Sequence, residues 1–305
     1  MTAPVRIGGV VGAGLMGRAI AALLARHGVD VRLFDTDATA LAVALDSLAA
    51  QCLPVRAVGS LGEVARGADL VTEAVTENLA LKQSIFADLD SADAGAVLAT
   101  NTSVLPVTRI AERTSRPERV IGTHWWNLPE LIPIVEVVRG ARTCDAVMDS
   151  TVERLSALGK LAVRVEKDVP GFVGNRLQHA LWREAIALVH DGICDAQTVD
   201  LVVRNTIGLR LAQMGPLQNA DYVGLDLTLA IHDAVLPALN RDPKPSPLLR
   251  QLVATGHLGS KTGGGFLQWR PGERDSVTAQ LAAHIRVQLA ERAKATTQDH
   301  EEEPA

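Results

Sequence analysis

The sequence predicts an α/β protein: a Rossmann-type, doubly wound parallel sheet followed by a mainly α-helical domain. Three observations predict it. Short apolar runs alternate with helix-like stretches through the first half of the chain, the pattern of strands joined by crossover helices. A glycine triplet, Gly12, Gly14 and Gly17, closes the first of these runs and opens a helix-like stretch. From residue 170 onward the short runs give way to long stretches with apolar residues at helical spacing.

In order, "RIGGVVG" (6–12) is a buried first strand, followed by the helical "LMGRAIAALLARHG". "VDVRLFD" (29–35) is the second strand, and the Ala/Leu-rich "ATALAVALDSLAA" the next helix. Then come "ADLVTEAV" (68–75), the helical "LALKQSIFADLDS", "AVLATNTS" (96–103), a short helix near "PVTRIAERT", "RVIGTHWW" (119–126) and "IPIVEVV" (132–138). Beyond them lie the helical "GFVGNRLQHALWREAIALVHDG", "AQTVDLVVRNT", "DLTLAIHDAVLPALN" and "SVTAQLAAHIRVQLAERAKA". A Pro-rich loop, "RDPKPSPL", and a glycine turn, "SKTGGGF", punctuate this half. The expected division is a first domain over 1–169, a helical domain over 170–295 and a disordered, acidic tail, "TTQDHEEEPA", over 296–305.

Composition narrows the function classes. The chain of 305 residues is long for one core and comfortable for two, and 47% hydrophobic with 21% charged residues is globular composition. A net charge of -5 gives no general attraction to nucleic acid or anionic membranes. Cys52, Cys144 and Cys194 lie far apart with none of the spacings of a zinc or redox site, so no metal is expected. No stretch reaches the roughly 18 apolar residues of a membrane span, and the apolar start lacks the basic region and cleavage site of a signal peptide. A soluble, cytoplasmic protein acting on a small molecule is expected.

Gly12, Gly14 and Gly17 form G-x-G-x-x-G, with Leu15 and Met16 between the last two. The first glycine allows the tight turn, the second lets backbone approach a pyrophosphate, and the third permits close packing of helix on strand. The helix N-terminus is then aimed at the anion. Asp35 closes the second strand at the position where a carboxylate accepts hydrogen bonds from ribose hydroxyls and repels a 2′-phosphate, which favours NAD over NADP. Hydride transfer also needs groups that handle a proton and hold the substrate. In open α/β sheets these gather beyond the carboxyl ends of the strands, where Glu77, Ser103 and His124 stand.

Seven motifs in order, "GAGLMG", "ADLVTEAVTENLALK", "NTSVLPVT", "GTHWWN" with "IVEVV" after it, "DVPGFVGNRL", "MGPLQNADYVGLD" and "KTGGGF", make the chain resemble the 3-hydroxyacyl-CoA dehydrogenase family, 3-hydroxybutyryl-CoA dehydrogenases among them, over residues 5 to 270. The resemblance implies an NAD-binding Rossmann domain coupled to a helical substrate and dimerisation domain, and so a homodimer. It implies His124 as general base and Glu136 as its orienting partner, with Ser103 and Asn175 bonding the reacting substrate. It assigns Glu77 and Lys82 to the nicotinamide-side ribose, Asn101 of "NTS" and Lys261 of "KTGGGF" to further cofactor contacts. A histidine titrates near pH ~6.5, which suits proton transfer near neutrality. A carboxylate on its second nitrogen would fix the tautomer, as in hydrolase triads.

Three departures bear on the substrate. The interval from Asp35 to Glu77 is shorter than in acyl-CoA members, whose extended lysine-bearing hairpin there helps hold the CoA, and no lysine or arginine lies between Arg32 and Arg56. Trp125 and Trp126 replace the family's phenylalanines, and Leu128 replaces its proline. "ELIPIVEV" is closer to relatives that oxidise free small hydroxy compounds, such as gulonate, carnitine and pyridine-carboxylate dehydrogenases. Three expectations follow: interconversion of a 3-hydroxyacyl thioester and its 3-keto form; the same chemistry on a small hydroxy acid or ring alcohol; or a non-catalytic, crystallin-like NAD-binding protein. The tryptophans either line the pocket or pack the core.

Overall fold

The computed structural model describes residues 3–301, with residues 295–301 described in backbone only. β1 (Ile7–Val11) leads into α1 (Leu15–Arg26), β2 (Asp30–Phe34) into α2 (Ala38–Ala49), and β3 (Val55–Ala57) into the short α3 (Leu61–Ala65). β4 (Leu70–Glu73), α4 (Leu79–Ala92), β5 (Val97–Thr100) and α5 (Val107–Ile110) follow, then β6 (Val120–Trp125), β7 (Ile134–Arg139), α6 (Asp145–Ala157) and β8 (Leu161–Val165). The rest is helical: α7 (Gly174–His190), α8 (Ala196–Asn205), α9 (Ile207–Leu211), α10 (Pro216–Val223), α11 (Leu225–Val235), α12 (Pro247–Ala254) and α13 (Glu273–Glu301). Of the tail expected to be disordered, 302–305 lie outside the described residues, as do the side chains of 296–301; the backbone of α13 runs to Glu301.

The strands form one sheet in the order β3-β2-β1-β4-β5-β6-β7-β8. The chain turns back across itself between β1 and β4, the switch point beside which open α/β sheets bind ligands at their carboxyl ends. β1 and β4 carry residues that reach both faces: Val10 joins a core with Ile20, Leu24, Leu33 and Met148, and Val11 a second core with Val71, Phe86, Leu89 and Ile110. Burial on both faces is why these strands read as unbroken apolar runs. Two strands have no counterpart among the sequence-predicted runs. β3 is three residues long, and β8 is half exposed, so neither carries the apolar pattern of a central strand.

The sequence predicts a parallel sheet, and one pairing departs from it. β6 and β7 run antiparallel, while β7 and β8 are parallel again. Residues 126–133 are too few for a parallel crossover, which takes about a dozen residues or more, and suffice for a hairpin-like return. This return sets His124 directly opposite Glu136, and residues opposite one another in an antiparallel pair project to the same face.

The chain divides into two compact units, residues 1–176 with 282–305, and residues 177–281. The first holds the sheet and its flanking helices. In the second, α9, α10, α11 and α12 bury no residue, and Leu217 and Tyr222 stand 81% and 79% exposed. Among the described residues no helix is long and apolar enough to cross a membrane.

The seat of α1 on β1 admits no side chain at Gly17. A Cβ there would lie 1.8 Å from the Gly12 carbonyl oxygen. Gly17→Ala therefore forces the helix off the strand, and overpacking of this kind costs about 1–3 kcal/mol. The expected result is a lower urea midpoint at unchanged slope, read by circular dichroism.

Candidate active site

The glycine loop is built as its spacing requires. Gly12 has φ +103°, and a Cβ there would lie 2.7 Å from the Ala74 carbonyl oxygen. Gly14 caps α1 without a side-chain hydrogen bond, no acidic residue occupies the first turn, and a Cβ on Gly14 would meet nothing within 4 Å. The first N–H groups of α1 are thus left to an external acceptor, beside open space and a positive dipole end. Leu15 is exposed, and Met16 packs partly on the core. Asp35 Oδ2 accepts the Ala13 N–H at 2.6 Å and Oδ1 the Asp37 N–H at 2.9 Å. The carboxylate expected beside a ribose thus also ties the loop to the end of β2. Asp37 in turn caps α2 by accepting from Thr39 and Ala40. These features fit a dinucleotide.

Next to this loop, the ends of β4 and β5 share a buried charge network. Glu73 is fully buried. Its carboxylate accepts from Lys82 Nζ and the Val75 N–H at 2.7 Å and from Thr100 Oγ1 at 2.8 Å. Lys82, assigned to a ribose by resemblance, is 1% exposed, its ammonium enclosed by Glu73, the Val75 carbonyl and Glu77 at 3.5 Å. Glu77 is the half-exposed member, held by the Thr102 hydroxyl at 3.0 Å and by the Ser103 N–H. Asn101 Oδ1 accepts the Trp125 N–H at 2.9 Å, so this side chain aligns the end of β5 with the end of β6. Sequence reasoning missed Glu73. The usable signal is a carboxylate inside an apolar strand, which needs a buried partner, and Lys82 stands on the next helix.

At the end of β6, His124 and Glu136 are each 3% exposed. His124 Nδ1 lies 2.7 Å from Glu136 Oε2. Glu136 Oε1 accepts the N–H groups of Val173 and Gly174 at 3.0 and 3.1 Å, at the start of α7. Burial alone would raise the Glu136 pKa, but the bonds from His124, Gly174 and Val173 outweigh it and hold the carboxyl below the ordinary glutamate value. Among the described residues Nε2 of His124 has no hydrogen-bond partner. Asn175, 9% exposed, donates through Nδ2 to the Ser103 carbonyl at 3.1 Å, so the two residues assigned to substrate binding touch each other. Phe172, a non-glycine residue at φ +48°, packs its ring 5.7 Å from the imidazole. A bulky side chain in the left-handed region is strained, and here it closes one side of His124.

The two tryptophans part company. Trp125 is 3% exposed within the sheet core, its indole N–H unpartnered and Lys160 Nζ 5.8 Å from its ring. Trp126 is partly exposed, its ring 5.2 Å from the imidazole at 55°. Lys261 is an exposed residue of the second unit, in the turn closed by the Gly259 N–H on the Gly264 carbonyl.

The NAD-binding-domain model of 3-hydroxyacyl-CoA dehydrogenases matches residues 8–57 and 46–169, and the C-terminal-domain model of the same family matches 171–269. The chain belongs to the 3-hydroxyacyl-CoA dehydrogenase family. It is an NAD-dependent oxidoreductase of that family, and the relatives are spread across substrates. A 5-formyl-3-hydroxy-2-methylpyridine 4-carboxylate 5-dehydrogenase of Mesorhizobium japonicum is 33% identical over 90% of this chain and 94% of its own. A probable 3-hydroxybutyryl-CoA dehydrogenase of Bacillus subtilis is 37% identical over 85% and 96%. Among solved structures of the family, a pyridine-carboxylate dehydrogenase described as an NAD+-dependent dismutase covers 95% of this chain and 98% of its own at 31% identity, with a TM-score of 0.88. (S)-3-hydroxybutyryl-CoA dehydrogenase from Ralstonia eutropha covers 87% and 99% at 32% identity, with a TM-score of 0.69.

Removing Lys82 leaves Glu73 as an uncompensated buried carboxylate, a loss of about 3–5 kcal/mol for pairs of this kind. Lys82→Met is expected to unfold at markedly lower urea. Glu73→Gln with Lys82→Met together should recover part of the loss, which a double-mutant cycle measures.

Proposed function

We propose that the protein is a dehydrogenase in which His124, oriented by Glu136, exchanges a proton with the hydroxyl of a compact substrate that carries no CoA. The observation that carries this reading is the Glu136 carboxylate. Because three hydrogen bonds hold it ionised, it can only accept, so the proton on the neutral imidazole belongs to Nδ1 and the lone pair to Nε2. Nε2 then takes the alcohol proton as the carbon is oxidised and returns it in the reverse direction. The imidazolium that forms is stabilised by the same carboxylate.

The glycine loop, with Gly12, Gly14, Leu15, Met16 and Gly17, would hold the pyrophosphate, Asp35 the adenosine-side ribose and Glu77 the nicotinamide side. When bound, NAD accepts or returns the hydride. Lys82 acts through Glu77, since its ammonium faces that carboxylate and Glu73. Asn101 keeps β5 and β6 in line behind the site. Ser103, whose carbonyl is bonded by Asn175, is left with a hydroxyl free to donate to the substrate oxygen. Lys261 remains a proposed cofactor contact on resemblance alone.

The substrate reading rests on the surface after β2. Arg32 donates to the backbone carbonyls of Glu63 and Arg66, Arg56 pairs with Asp30 at 3.5 Å, and no cation lies between them. Phosphate groups require Arg, Lys or free helix N-termini, and the segment between Arg32 and Arg56 has no cation to offer a CoA. The high structural similarity to the pyridine-carboxylate enzyme supports the same choice. An acyl thioester is the second reading, favoured by the names of several relatives.

A second copy of the chain is the proposed partner. Helices α9 to α12 bury no residue and expose Leu209, Leu217, Tyr222 and Leu225, and large apolar side chains left bare in that number mark an interface. Light scattering after size exclusion is expected to give twice the chain mass; a monomer at micromolar concentration would reject the dimer.

His124→Ala is expected to lower kcat by about 10²–10⁴-fold while NADH affinity persists; an unchanged rate would reject His124 as the base. With NAD saturating, free hydroxy acids and ring alcohols should turn over faster than 3-hydroxybutyryl-CoA, and the opposite order would reinstate the thioester. Glu136 adds stability above the ordinary glutamate value of 4.5, and that stability is lost as pH falls through its lower folded-state pKa. Glu136→Gln should therefore flatten the urea midpoint against pH in the acid range below 4.5 and lower kcat at neutrality.

A further inference from the structure

We infer that Trp126 is the wall that selects the substrate, and that the substrate part it selects is a planar, conjugated ring. The inference rests on the dehydrogenase reading above, since it places the reacting carbon beside Nε2 of His124. In a chain with four tryptophans and four phenylalanines, Trp126 and Phe172 both pack on this one imidazole, at 5.2 and 5.7 Å and tilted by 55° and 57°. Phe172 is 1% exposed and belongs to the second sheet core. Trp126 is partly exposed and so has surface left to offer.

The six-membered ring of the indole rests on the backbone of Gly174. A Cβ on Gly174 would lie 2.2 Å from Trp126 Cζ2 and 3.0 Å from Cη2. Gly174 is therefore the one residue type that seats this ring. The same Gly174 donates its N–H to Glu136, and Asn175 beside it reaches the Ser103 carbonyl. The wall, the acid–base pair and the substrate-holding residues thus share one turn of backbone.

The segment that carries the indole is fixed from its other side. Lys160, 7% exposed, donates Nζ to the carbonyls of Pro129 and Ile132, and burial lowers its pKa. The ammonium also stands over the Trp125 ring. Lys160 thereby bridges two carbonyls of the turn that follows Trp126, in which Leu128 stands at φ +65°. A rigid, flat indole face rewards a flat partner that stacks on it, by about 0.5–1.5 kcal/mol beyond area burial. A flexible acyl chain meets the same face by surrendering rotamer freedom. Shape, in place of charge, then discriminates between the two.

The test measures binding, so it stands apart from turnover. With the protein saturated in NAD, which has no hydride to give, calorimetry would compare a pyridine ring bearing two carboxylate groups with acetoacetate. Wild type should bind the ring compound more tightly. Trp126→Leu, which removes the aromatic face, should lower the ring-to-linear affinity ratio by about 2- to 10-fold, the stacking term converted at 1.4 kcal/mol per decade. Gly174→Ala, which displaces the indole without removing it, should move the ratio the same way. A wild-type preference for acetoacetate, or a ratio that neither variant moves, would overturn the wall. Failure of His124→Ala to slow turnover would instead strike the dehydrogenase reading and leave the affinity ratio to decide the wall.

Discussion

The Glu136 carboxylate is the junction on which the site depends. One oxygen takes the imidazole of His124 across the β6–β7 pair, and the other takes the Val173 and Gly174 N–H groups where α7 begins. Three separate stretches of chain are thereby fixed to two oxygen atoms. A carboxylate 3% exposed survives only where its lone pairs are filled. The energy that keeps it ionised is therefore the same energy that orients the histidine and seats the helix. The orientation of the imidazole and local stability are coupled there and cannot be varied independently.

The antiparallel turn of β7 makes this junction available. Had β7 followed β6 by a parallel crossover, Glu136 would have no reason to face His124. The short return through 126–133 instead places the two residues in direct register, and it puts Trp126 at the mouth of the turn. Upstream, the parallel part of the sheet supplies the other half of the site. Glu73, Lys82 and Glu77 stack charge behind the β4 and β5 ends, and Asn101 passes that alignment on to β6.

Much of this was legible in the sequence, for identifiable reasons. The glycine loop and Asp35 could be read because each needs a specific residue type at a fixed offset, and the φ of Gly12 and the contacts of Gly17 show why no other residue serves. The central strands were legible because both faces are buried. The β6–β7 direction was not, since apolar runs carry no sign of strand polarity, and loop length alone had to decide it. Glu73 was hidden because a carboxylate in "VTEAV" reads as one polar residue in a strand until Lys82, nine positions on, is seen to fold over it. Gly174 was hidden for the opposite reason: within "GFVGNRL" it reads as one more residue of a helical stretch, and its role is to make room for another residue's ring.

Gly174 also shows how the proposed chemistry and the proposed selectivity come to meet at one residue. Its N–H serves Glu136, a demand that any residue except proline meets. Its missing side chain serves Trp126, a demand that only glycine meets. The backbone function leaves position 174 nearly unconstrained in identity, so it is the indole that fixes the residue there. A smaller side chain at 126 would release Gly174 to carry a Cβ, and His124 and Glu136 would keep their hydrogen bonds. The proposed proton transfer and the proposed wall are therefore separable at this point in the fold: the indole is able to change while the histidine and its carboxylate stay as they are.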